Sequence, residues 1–198
     1  MIADPSGQTA YRLKITLQGV QPPIWRRVVV PGDITLDRLH DVIQIVFDWL
    51  DNHLHRFEID GVEYTEGPEE DPDWKAEEEG EFLLCDLVAQ PRQTFLYEYD
   101  FGDGWRLDIL VEKIDTIPED YELDLGCLAG ERAAPPDDVG GLGGYEHFLA
   151  AVNDPGHPEH DRYLRWWGGS FDPEELDLDF VNSELTKWLR WSRPRPLA

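Results

Sequence analysis

The stretch Tyr99-Asp100-Phe101-Gly102-Asp103-Gly104-Trp105 sets two carboxylates among glycines and aromatics, and His53-Leu54-His55 sets two imidazoles one residue apart. On a strand, residues i and i+2 share a face, so His53 and His55 are placed to ligate one ion. Asp100, Asp103 or Asp138 would complete an oxygen and nitrogen set suited to several divalent cations. Such a centre could drive metal-dependent hydrolysis. No cofactor is expected, and a divalent metal is the one this pattern would admit; the competing reading has the two histidines capping the end of the helix or packing beside Trp25 and Trp49 with their hydrogen bonds met locally. Trp25-Arg26-Arg27 could clamp an anion with its guanidinium forks, although strand alternation divides such residues between core and rim, where arginine pairs with nearby acids.

Other reactive patterns fail on their own chemistry. Gly140-Gly141-Leu142-Gly143-Gly144 has no Lys-Ser/Thr and follows Asp137 and Asp138, so it reads as a glycine-rich turn and not as a phosphate loop. No serine, cysteine or lysine stands in a nucleophile, base and orienter arrangement. Cys85 and Cys127 lack CxxC neighbours and read as free thiols. The function that remains is a non-enzymatic binding or interaction module, with the hydrolase as the alternative.

Net charge narrows the partners. Seventeen lysines and arginines face 42 acidic residues, a formal charge of -25. Nucleic-acid binding runs on cations neutralising phosphates, so it is disfavoured, and a protein partner is expected for the acidic surface. Residues 1–10 carry neither a basic n-region nor an apolar core, and no run approaches a membrane span, which predicts a cytoplasmic protein without a membrane.

The elements that must position these groups follow from periodicity. Alternation predicts a strand over 11–18 and a β-branched run predicts another over 24–30. Leu36, Leu39, Ile43, Val46, Phe47 and Leu50 stack on one face of a helix over 35–50. Asp60-Gly61 predicts a two-residue hairpin between 56–59 and 62–64. An acidic loop is expected near 66–81 and irregular chain over 118–143; strands lie at 95–101 and 105–111. Helices are expected at 144–152, 159–167 and 173–191, the last opening at Asp172-Pro173. Strands dominate the first half and helices the second. That order indicates an α+β fold: a single domain over 11–191, an antiparallel or mixed sheet with helices on one side, and flexible ends at 1–10 and 192–198.

Several segments together, Pro22-Pro23-Ile24-Trp25-Arg26-Arg27, Leu39-His40-Asp41-Val42-Ile43-Gln44, His53-Leu54-His55-Arg56-Phe57, Tyr99-Asp100-Phe101-Gly102-Asp103 and Pro135-Pro136-Asp137-Asp138 with Gly140-Gly141, resemble the Ri-plasmid ORF-3-like family. The resemblance spans about 11–189 and implies a β-grasp-like α+β domain, a possible link to mobile elements and no established activity. Some relatives are labelled resolvases. Here no serine sits beside a strand-borne arginine pair, and the charge opposes a DNA-gripping surface, so recombinase chemistry is not expected. Where many relatives carry a histidine, this chain has Leu107.

The aspartate motif itself predicts a turn. A three-residue loop, Gly102-Asp103-Gly104, pairs Phe101 with Trp105 and Asp100 with Arg106, with Gly104 at positive φ in a bulge.

Overall fold

A computed structural model describes residues 8–67, 75–118 and 125–191. Strands β1 (Gln8–Leu17), β2 (Trp25–Pro31), β3 (His55–Ile59), β4 (Val62–Thr65), β5 (Ala76–Glu78), β6 (Thr94–Tyr99), β7 (Trp105–Ile117) and β8 (Gly126–Glu131) form one sheet in the order β5-β4-β3-β6-β7-β1-β2-β8. Every pair is antiparallel except β4 with β5 at one edge. Helices α1 (Leu36–Phe47), α2 (Leu84–Leu87), α3 (Gly141–Asn153), α4 (His160–Trp167) and α5 (Leu178–Trp191) complete an α+β fold. Among the described residues, no helix is long and apolar enough to cross a membrane.

Alternation does the sorting. Tyr11, Leu13, Ile15 and Leu17 of β1 are buried beside Leu107, Ile109 and Val111 of β7 and Tyr97 and Tyr99 of β6. The α1 stripe Leu36, Leu39, Ile43, Val46 and Phe47 joins the same cluster, as do Tyr145 and Phe148 of α3 and Leu185 of α5. Burying each such side chain contributes about 1.5–3 kcal/mol, which is what holds α1 to the sheet. The opposite face carries ion pairs: Arg56 with Glu63 and Glu98 (2.6 and 2.7 Å), Arg106 with Glu98 (3.4 Å) and Arg27 with Glu112 (2.7 Å).

Local chemistry explains where the elements differ from their sequence expectation. The expected flexible start at 1–10 gives way at Gln8, because β1 runs from there alongside β7 as far as Ile117; residues 1–7 and the tail 192–198 lie outside the described residues. The acidic segment expected as a loop near 66–81 is described in part, and Ala76–Glu78 form a strand there. Within the span expected to be irregular, Gly126–Glu131 form β8, where Asn182 of α5 accepts the Cys127 N–H (2.8 Å) and donates to its carbonyl (3.0 Å). That amide covers the edge strand as a neighbouring strand would. Helix α5 begins five residues later than Asp172-Pro173 predicts. The Asp172 carboxylate accepts the Glu174 N–H in a local turn, while Asp177 caps the helix through the Phe180 N–H. The Asp60-Gly61 hairpin forms as expected, Ile59 facing Val62 and both turn residues at positive φ.

Candidate functional site

Three connections meet at one end of the sheet. The first follows α1. Asp48 ends that helix in the left-handed region, Trp49 turns inward to stack on Phe47, Tyr99 and Trp105, and its indole N–H donates to the Pro135 carbonyl at 3.0 Å. The second is the β6–β7 turn. Tyr99 pairs with Trp105, so the loop is the five residues Asp100–Gly104 and not the three expected. The displacement is two residues, so every side chain keeps its sheet face. The cause is Asp100: it takes φ 53°, its Oδ1 accepts the Gly102 and Asp103 N–H groups (2.9 and 3.3 Å), and its carbonyl accepts the Gly104 N–H at 2.6 Å. The expected Asp100–Arg106 pair is therefore not made, because Arg106 lies opposite Glu98. Gly104 does take a positive φ of 69°.

The third connection is Pro135–Gly140, stitched to the other two. Asp137 Oδ2 accepts the Leu50 N–H at 2.6 Å and Asp103 Oδ2 accepts the Gly140 N–H at 3.0 Å. Gly140 and Gly141 have φ of 97° and 67°, and a Cβ on Gly141 would come within 2.5 Å of the Asp103 carbonyl oxygen. Backbone approach to the aspartate loop is the reason for Gly140 and Gly141. The glycine run is not the turn expected over 140–144: α3 starts at Gly141, three residues earlier than expected, and Gly140 alone stands outside it as the N-cap.

Where the connections meet, His53 Nε2 lies 3.1 Å from Asp138 Oδ1 and 3.7 Å from Asp100 Oδ2. The three ligand atoms lie within 4.8 Å of one another. Ligands about 2.0–2.2 Å from a shared ion in tetrahedral or octahedral arrangement stand about 3–3.6 Å apart, so these separations suit one cation after a small closure. Two enclosed atoms here have no hydrogen bond, His53 Nε2 and Asp137 Oδ1. Burial also raises the Asp137 carboxyl, with His53 opposing that shift. Asp100 and Asp138 both hold left-handed backbone (φ 53° and 59°), a conformation that costs about 1–3 kcal/mol in a non-glycine residue and clusters at working sites.

His55 does not belong to this cluster, which corrects the expectation that both imidazoles share one ion. His53 precedes β3 and stands by the loops, whereas His55 opens the strand and is buried. Its Nε2 faces both oxygens of buried Glu79 (3.0 and 2.9 Å), and its ring stacks on His40 at 3.5 Å between centroids. His40 in turn meets the Tyr97 hydroxyl (2.7 Å) and Asp51 (2.8 Å). Gln44 donates to the same hydroxyl at 2.9 Å, so the Tyr97 proton goes to His40 Nδ1 and His40 Nε2 donates to Asp51. His40, Asp41 and Asp51 also form a set within ligating distance, yet both nitrogens of His40 are already engaged.

The remaining sequence candidates fill supporting places. Trp105 is a core residue, 1% exposed. Asp103 anchors Gly140. Trp25 lies on the open sheet face beneath Lys14 and Arg27. Arg26 points the other way and is buried. Sequence reading missed His40, Gln44, Glu79 and Asp137. A signal existed for the first two: polar residues at i and i+4 inside the apolar stripe of α1.

Comparison with known proteins agrees with the sequence resemblance. The family model described as "Plasmid pRiA4b ORF-3-like protein" matches residues 9–180. The uncharacterized protein y4hQ of Sinorhizobium fredii (strain NBRC 101917 / NGR234) is 36% identical over 187 residues, covering 92% of this chain and 95% of the relative. The crystal structure of MM3350, a protein of unknown function from Methanosarcina mazei Go1, superposes with a TM-score of 0.78 at 37% identity, covering 88% of this chain and 98% of that one. The chain belongs to the plasmid pRiA4b ORF-3-like family.

Proposed function

We propose that the protein is a non-enzymatic binding module whose working site is the His53, Asp100 and Asp138 cluster, taking one divalent cation. The observation that carries this reading is the convergence of those three side chains from three separate connections, with His53 Nε2 enclosed, within ion-pair distance of both carboxylates and hydrogen-bonded to neither. The ion would bridge the loops after α1, after β6 and before α3. One imidazole and two carboxylates suit borderline and hard ions such as Mn²⁺. The α1 helix held against the sheet supports the β-grasp-like description.

The hydrolase reading is the weaker one. His55 is committed to Glu79, and the triad lines neither of two cavities of about 290 Å³ among the described residues, which gives a hydrolase no support from those cavities. The acidic surface supports a basic protein partner, and cytoplasmic location suits the free thiols of Cys85 and Cys127.

Melting curves of metal-stripped protein test the site. Added Mn²⁺ at 100 times its dissociation constant should stabilise the fold by about 2.7 kcal/mol, and Asp100→Asn or His53→Ala should abolish that response. Equal responses from wild type and both variants would exclude the triad as the ligand set.

A further inference from the structure

A cavity of about 290 Å³ opens between the end of α1, residues 133–136 and residues 167–181. Phe47, Pro135, Phe171, Leu176 and Phe180 make its apolar lining, and Phe180 is 51% exposed. Arg26, only 2% exposed, lines it from the sheet. This arginine is charged and buried, yet its partners are neutral: Nε donates to the Val46 carbonyl (2.7 Å), and Nη1 donates to the carbonyls of Trp25 (2.9 Å) and Glu131 (3.1 Å). Its guanidinium also lies 5.1 Å from the Phe47 ring. Nη2 makes no hydrogen bond with any described residue, and no carboxylate of the described residues comes within ion-pair distance. Buried cations are ordinarily paired, because leaving one without a counter-charge costs several kcal/mol. Desolvation pulls the Arg26 guanidinium down to about 10, with Cys127 and Asp48 acting the other way.

Opposite Arg26 on β8, Gly130 leaves room for the arginine stem. A side chain on Gly130 would meet Arg26 Cδ at 2.9 Å, the Trp25 carbonyl at 2.7 Å and Leu176 Cδ2 at 2.7 Å. Asp48, Asp172, Glu175 and Asp177 also line the cavity, so a ligand with a second negative group would be repelled.

We propose that this cavity binds a small apolar monocarboxylate, with the carboxylate on the uncommitted Nη2 edge of Arg26 and the hydrocarbon against Phe47, Phe171 and Phe180. The ligand carboxylate supplies the counter-charge that Arg26 lacks, the aromatic lining selects an apolar body, and the surrounding acids disfavour a second negative charge. The site shares no ligating residue with the cation cluster, so each stands or falls separately.

Calorimetric titration of the intact protein with phenylbutyrate is the test, with phenylbutyramide as its neutral counterpart. Saturable one-to-one binding of the acid is expected, with the amide weaker by about 10-fold or more, since a charge-assisted bond is lost. Arg26→Met should abolish the preference for the acid. Should that variant fold poorly, Phe180→Glu decides: it adds a negative group at a half-exposed position and should weaken phenylbutyrate about 10-fold with the melting temperature nearly unchanged. Absence of saturable binding to wild type, equal affinities for acid and amide, or undiminished binding by Phe180→Glu would each overturn the proposal.

Discussion

Replacing Gly144 by alanine is expected to destabilise the protein by about 3 kcal/mol or more, lowering its melting temperature by about 6–12 °C. Helix propensity alone argues the other way, since alanine inside a helix is favoured over glycine by about 1 kcal/mol. The local geometry decides. A Cβ on Gly144 would stand 2.0 Å from the Val139 carbonyl oxygen and 2.8 Å from its carbon. Both are backbone atoms, so no rotamer change relieves the overlap, and the first turn of α3 must move away from 137–140. That segment carries Asp138, and it is tied to the aspartate loop through Gly140 and Asp103. The variant should therefore also lose the Mn²⁺ response of the melting curve. Gly143→Ala is the control: a Cβ there meets nothing within 4 Å, and the change should be neutral or slightly stabilising. A Gly144→Ala protein as stable as wild type would refute the close approach of α3 to residue 139.

The second large effect is a pH dependence located in the stacked histidines. His40 is held well below its ordinary 6.5, first by burial and then by the charge His55 would place against it, with Asp51 and Asp37 opposing. Between the folded value and 6.5 the unfolded chain binds a proton on His40 that the folded chain refuses, so acidification through this window lowers stability. His40→Gln removes that titration. At pH 7 the variant should be less stable by about 1–3 kcal/mol, having lost the ring stack and at least one bond to Tyr97 or Asp51. As the pH falls from 7 toward 4.5 this gap should narrow, by about 1.4 kcal/mol for each unit separating the two states. Asp37 and Asp41 on α1, Asp51 after it, Glu79, His55 and Tyr97 all face or adjoin the pair. Glu79 is raised by burial, which favours the folded state as pH falls; being present in both proteins, it cancels in the difference. Chemical denaturation of both proteins at several pH values checks this, and a gap that is constant or widens toward acid would contradict it.

Much of the scaffold was legible because one physical signal dominates it. Strict alternation identifies β1 and β7, and spacings of three and four identify α1. What was misread lies where local polar bonds compete with the hydrophobic pattern. Asp100 closes its own turn through its carboxylate and thereby lengthens the loop to five residues; spacing alone cannot show that choice. Glu79 lay in an acidic run that reads as solvated, and only the folded chain supplies His55 as its reason for burial. The site divides the same way. His53, Asp100 and Asp138 were identifiable as residue types, and they do converge. The separation of His53 from His55 was not identifiable, because it depends on where β3 begins: His55 is its first residue, so the i, i+2 rule never applies to the pair.

Pulsed electron paramagnetic resonance of the protein loaded with one equivalent of Mn²⁺ addresses the central claim most directly. A cation held by His53, Asp100 and Asp138 should show coupling to one imidazole nitrogen in wild type and in His40→Gln, and that coupling should vanish in His53→Ala. Mn²⁺ that stays fully hydrated in the presence of the wild-type protein, or a nitrogen coupling that survives His53→Ala, would contradict the assignment of this cluster as the working site.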